Sequence, residues 1–164
     1  MSESNSGAAT EQPKPNEQQF AIQRIYVKDL SFEAPLGVSV FGQQWKPHIN
    51  QELSSKNQKV GDDLYEVDLS LTVTAKLEDK TAFLIEIHQA GLFMLKGFDN
   101  KQLTHVMNTI CLQILFPYAR ESIDSTLAKG SFPPLMLPPV NFDALFAQAL
   151  ANAKEKNNEE PTLN

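Results

Sequence analysis

One stretch of this 164-residue chain fits a single period. In LYEVDLSLTVTAKL, residues 64–77, every odd position from Tyr65 to Leu77 is apolar and every even position from Glu66 to Lys76 is polar. Strand side chains point alternately to opposite faces, so this segment has one dry side and one wet side. That is the pattern of an antiparallel sheet covered on one face. A helix would scatter the same residues around its circumference.

Strands on either side extend the sheet. The charged EDK at 78–80 reads as a turn and AFLIEIHQ (82–89) as the returning strand, with Phe83, Ile85 and Ile87 inward and Leu84, Glu86 and His88 outward. Upstream, FAIQRIYVKDLSFE (20–33) carries an apolar even face of Phe20, Ile22, Tyr26, Leu30 and Phe32, interrupted by Arg24 and Lys28. WKPHINQEL (45–53) puts Trp45, Ile49 and Leu53 on one side, and Pro47 argues for an edge position. The polar SSKNQKVGDD reads as its connector to the next strand. Four consecutive strands joined by mostly short polar connections predict an antiparallel meander.

Helical spacing then takes over. Leu103, Val106, Met107, Ile110 and Ile114 predict one helix between Asn100 and Leu115, and Pro117 suits the first turn of a second that stops at Gly130. Asn141 is a good N-cap for FDALFAQALANA, with Asp143 in its first turn. Strands first and helices last predict an α+β fold with helices layered on one side of a four-stranded antiparallel sheet. Residues 1–19 and 152–164 are too polar to fold alone and are expected as disordered tails around a domain spanning 20–151.

The segment before the last helix is unusual. In GSFPPLMLPPVNFDALF (130–146), four of the ten prolines lie between Pro133 and Pro139, around Leu135, Met136 and Leu137. Proline fixes φ and removes a donor, so the run is neither helix interior nor central strand, yet it is apolar. It is either a buried linker or the stiff wall of an open hydrophobic groove. A wall ordered in advance presents apolar side chains at low entropic cost, and a flexible methionine adapts to varied shapes.

Chemistry is sparse. His48, His88 and His105 have no ligand-spaced partners, so no metal or cofactor is expected. Cys111 sits among apolar helix residues and reads as packing, and GDD at 61–63 reads as a solvated turn. No phosphate loop or nucleophile elbow is present, and an enzyme is not expected. A net charge of −6 disfavours nucleic acid and anionic lipid and favours basic partners. The single cysteine, the absence of a secretory pattern and the lack of a long apolar run together predict a cytoplasmic protein that does not insert into membranes.

Four words in order carry a resemblance: FEAP (32–35), ILFPYARE (114–121), GSFPPL (130–135) and PVNFDALF (139–146). From about Phe20 to Phe146 the chain resembles the SecB family of bacterial export chaperones. The resemblance implies an ATP-independent holdase that keeps unfolded precursor polypeptides translocation-competent and passes them to the SecA motor ATPase. It also implies a homotetramer, a dimer of dimers, with Leu103, Val106, Met107 and Ile110 at the central interface. The implied peptide groove is lined by Trp45, Ile49, Leu53, Phe132, Leu135, Leu137 and Phe146. Gln51 stands on its floor where the family commonly has an aliphatic residue. The implied SecA-docking patch is Asp29, Glu33, Leu84 and Glu86. Against this stand a closed-pocket small-ligand-binding or scaffolding oligomer, in which the apolar run is interior, and an enzyme of unrecognised type.

Overall fold

The computed structural model describes residues 17–158. Four strands, β1 (Gln19–Glu33), β2 (His48–Gly61), β3 (Leu64–Leu77) and β4 (Lys80–Lys96), precede three helices, α1 (Asn100–Asn108), α2 (Ile110–Lys129) and α3 (Phe142–Asn158). The sheet is antiparallel throughout, in the order β1-β4-β3-β2. The expected simple meander therefore holds only for β2, β3 and β4. β1 pairs with β4, and the connection from β1 to β2, which includes a short 3₁₀ turn over Gly37–Gly42, crosses to the opposite edge.

β3 keeps the alternation read from the sequence: Val67, Leu69, Leu71, Val73 and Ala75 are wholly buried under the helices. β2 and β4 are longer than their hydrophobic patterns indicated. The polar connector proposed for 54–63 is mostly strand, and only Asp62 and Asp63 form the turn. β2 is an edge strand with solvent at one side, so polar residues cost it little. Trp45 and Pro47 precede it rather than belong to it.

β1 resolves its own interrupted pattern. Irregularities between Ile22 and Arg24 and between Val27 and Asp29 each add a residue. Every such bulge switches which positions face inward. Ile25 and Val27 thus join Phe20, Ile22, Leu30 and Phe32 on the helix side, opposite Gly91 and Gln89. Arg24 and Tyr26 turn outward. The Gln89 side chain donates to the Tyr26 carbonyl at 3.0 Å beside the second bulge.

The single helix expected over 100–115 is two helices that break at Thr109. The side chains of Asn108 and Thr109 donate to the carbonyls of Thr104 and His105 at 2.8 and 2.7 Å, closing the last turn of α1 locally. Pro117 lies inside α2 rather than at its start, on the exposed side, where a carbonyl left without its helical donor can meet water. Cys111, Leu112, Leu115, Phe116, Ala119, Ile123 and Leu127 form the buried stripe of α2, which packs across β4 and β3. At Gly91 an added β-carbon would stand 2.6 Å from the Phe93 ring and 3.1 Å from Leu115. Glycine there lets α2 and the neighbouring ring close onto the sheet. α3 continues to Asn158, past the domain boundary expected at 151. Residues 1–16 of the expected N-terminal tail lie outside the described residues.

Burial pushes the Cys111 thiol up to about 12. Iodoacetamide at about pH 8 should therefore leave Cys111 unmodified in the native protein and alkylate it fully after urea denaturation, as read by intact mass.

Candidate functional site

α2 ends in a motif that also begins the apolar surface. Ser131 takes a left-handed conformation (φ 62°), its N–H donates to Ala128 O, and the N–H of Phe132 donates to Leu127 O at 2.9 Å. This is a Schellman cap, with Ser131 rather than the expected Gly130 in the left-handed position. Gly130 serves close approach instead: a β-carbon there would lie 2.7 Å from Phe32 and 3.1 Å from Phe132.

The cap drops Phe132 into the middle of an aromatic cluster. Its ring centroid lies 5.1 Å from Phe83, 5.5 Å from Trp45, 5.9 Å from Phe41 and 6.2 Å from Phe32. Trp45 also stacks on Phe83 at 6.2 Å. Phe132 is only 6% exposed, so it supports the surface from beneath. Trp45 is half-buried and Phe41 is 57% exposed, and these two face outward. Phe41 escaped the sequence reading because its connector shows no periodicity.

From Phe132 the chain runs along α2 without regular secondary structure. The Asp124 carboxylate accepts from Leu135 N at 2.9 Å and Met136 N at 3.4 Å, Arg120 donates to Leu137 O at 3.2 Å, and Phe142 packs edge-on against Phe116 at 6.0 Å. Positions 124, 120 and 116 share one face of the helix. Donors that proline does not supply are thus provided by Leu135 and Met136, and they meet a charge that accepts them strongly. Leu137 points in and is 5% exposed, Leu135 is half-buried, and Met136 is 77% exposed with φ 48°. The two readings of the proline run divide by residue: Phe132 and Leu137 are interior, while Leu135 and Met136 are reachable.

β2 forms the adjoining floor. Ile49, Gln51 and Leu53 pair with Ala75, Val73 and Leu71 and so share the helix side of the sheet, beyond the strands on which α2 lies. Ile49 and Leu53 are half-buried against the core, and Gln51 is exposed between them. Phe146 is not part of this surface. It lies at the other end of the crossover, 5.5 Å from the His105 ring, lining a crevice of about 1170 Å³ between α1 and α3 with Phe98, Val106 and Leu150.

The residues expected at a central interface separate in the same way. Val106 and Met107 are 7% and 8% exposed and belong to the chain's own core; Ile110 is 43% exposed and Leu103 is half-buried. A larger uncovered apolar strip lies on the helix side of β1, at Phe20, Ile22, Val27 and Leu30.

The opposite sheet face is polar. Asp29, Ser31 and Glu33 of β1 pair with His88, Glu86 and Leu84 of β4, so the four expected docking residues share one outward surface. Lower on this face, Lys28 at 2.7 Å and the Tyr26 hydroxyl donate to Glu66 and hold its carboxyl below the usual range. A depressed carboxyl stabilises the fold above its unfolded-state value, and that contribution is lost as acid protonates it.

The family described as preprotein translocase subunit SecB matches residues 13–153. The chain belongs to the SecB family. A protein-export protein SecB from Marinobacter nauticus is 53% identical over 95% of this chain and 93% of its own length. SecB from Cellvibrio japonicus is 56% identical over 84% of this chain and 83% of its own. SecB from Nitrosococcus oceani is 58% identical over 79% and 80%. The sheet-and-helix architecture is shared with a SecB-like chaperone of Mycobacterium tuberculosis, solved in complex with a peptide from an antitoxin. That match has a TM-score of 0.61 and 18% identity, covering 74% of this chain and 88% of that one. SecB is a family of export chaperones. No helix among the described residues is long and apolar enough to cross a membrane.

Proposed function

We propose that the chain holds unfolded precursor polypeptides in extended form along the apolar tract that starts at Trp45 and follows the proline-rich crossover, without ATP. The observation that carries this reading is the crossover itself. It is fastened to α2 by Asp124 and Arg120 while Leu135 and Met136 remain reachable. Half-open Trp45 and Leu135 argue against a closed pocket.

Each large apolar side chain buried contributes about 1.5–3 kcal/mol. A few such contacts, less the cost of ordering a floppy ligand, leave roughly micromolar binding per site. Contacts of this kind read exposure rather than sequence, since folded proteins hide the residues involved. The α1–α3 crevice beside Phe146 is a second apolar stop for the same client.

Self-association would multiply these sites and raise affinity through effective concentration. The uncovered β1 strip at Phe20, Ile22, Val27 and Leu30, with Leu103 and Ile110 of α1, is the apolar surface available to a homotetramer. The outer face at Asp29, Glu33, Leu84 and Glu86 is read as the docking surface for the SecA motor in the cytoplasm.

Dilution of a denatured precursor out of urea tests the holdase reading. Stoichiometric protein should suppress the rise in light scattering, and an unchanged rise overturns the assignment. In the same assay, Asp29→Ala with Glu86→Ala should leave suppression intact while weakening motor binding. Equal loss of both would argue against two separate surfaces.

A further inference from the structure

The middle of the outer face holds one titratable group enclosed by acids. The His88 ring lies between two carboxylates, with Nδ1 3.2 Å from Asp68 Oδ1 and Nε2 3.4 Å from Glu86 Oε1. Thr72 donates to the other oxygen of Glu86 at 3.1 Å. A neutral imidazole has one N–H and one lone pair, so it can donate to only one of these carboxylates and must turn a lone pair toward the other. Only the doubly protonated ring satisfies both. The two protonation states therefore differ in what they do to Glu86: the cation occupies it, and the neutral ring anchored on Asp68 releases it.

We propose that His88 is an internal competitor for Glu86, standing in for the cationic side chain of a docked partner and setting how strongly this face takes up lysine- or arginine-rich segments. The inference rests on the docking reading given above. The charged and titratable groups that face the ring are Asp29, its partner across the β1 pairing, Asp68 on β3 and Glu86 on its own strand. Lys28 reaches Asp68 from the β1 bulge at 3.5 Å. The helices pack on the opposite side of the sheet, so they place no group against the ring. His88 is 29% exposed and Asp68 10%, so the ring is held in place on Asp68 while its Glu86 side stays open to a visitor.

Histidine is the side chain whose charge ordinarily changes between about pH 5 and 8. An arriving lysine must displace the imidazolium from Glu86 where the ring is protonated and meets a free carboxylate where it is neutral. Docking should therefore weaken as pH falls.

The test is fluorescence anisotropy with a short, N-acetylated, lysine-rich peptide free of histidine and acids, on the full-length protein. Wild type should bind about three- to fivefold more weakly near pH 6 than near pH 8, the size of one surface charge contact. His88→Gln should bind near pH 6 as tightly as wild type does near pH 8, with the difference between the two pH values removed. Asp68→Asn, which removes the anchor of the ring, should shrink the difference as well. A role confined to packing predicts the reverse, weaker binding by His88→Gln at both pH values. That result, or an unchanged pH dependence in both variants, overturns the proposal and leaves the docking surface standing. Glu86→Gln distinguishes the other failure: if it binds as wild type does, or if wild type fails to bind at either pH, the docking reading falls and this proposal falls with it.

Discussion

Truncation of Trp45 to alanine should lower the affinity for an unfolded client by tenfold or more, on the order of the loss at an aromatic hot spot. Its indole stacks on Phe83 and touches Phe132, yet one side remains open. A visiting apolar side chain would therefore meet a rigid aromatic plane that has already lost its rotamer freedom within the cluster. Phe41→Ala, which removes a ring resting on Phe132 from above, should have the same sign and a smaller effect. Titration with a permanently unfolded, reduced protein measures both, and the anisotropy assay on the outer face serves as a control that should not move. Unchanged client affinity in Trp45→Ala would remove the aromatic platform from the binding surface.

The second large effect is expected at a residue that does not touch a client. Asp124→Ala should destabilise the protein by about 2–4 kcal/mol, because two backbone donors lose a charged acceptor and one becomes a part-buried N–H without a partner. The loss should be local as well as global. Limited proteolysis should cut between residues 131 and 140 in the variant under conditions where wild type resists, and client capture should fall with it. Asp124→Asn retains an acceptor oxygen and should recover much of the stability. A urea midpoint in Asp124→Ala equal to wild type would show that the prolines alone hold the crossover in place.

The fold was legible in the sequence where burial imposes a period. β3 is flanked on both sides and covered on one face, so its pattern is unbroken. The edges were less legible for physical reasons. β2 tolerates polar residues along most of its length, and the two bulges of β1 move residues from one face to the other, which no fixed period follows. The break at Thr109 rests on side-chain hydrogen bonds rather than on proline or glycine, and so it leaves no strong mark in the sequence.

Of the candidate site, the aromatic and proline-rich words lie on the segments that form the apolar surface. Which of their members face water depends on tertiary contacts. Of the residues that the family resemblance implies for the groove, Phe132 and Leu137 are buried, and Phe146 lines a separate crevice between α1 and α3. Asp124 and Arg120, which pin the crossover, stand on a helix among ordinary surface charges, and nothing local in the chain distinguishes them.

The fastening of the crossover onto α2 has a metrical consequence. Asp124 and Arg120 stand one helical turn apart, about 6 Å along the axis, and hold the residues on either side of Met136 at that spacing. With Leu135 and Leu137 fixed in place, the left-handed Met136 is the residue turned outward. A side chain pinned at both neighbours can change its rotamer without moving the wall, so a surface built this way would fit different guests through one supple methionine while its backbone stays still.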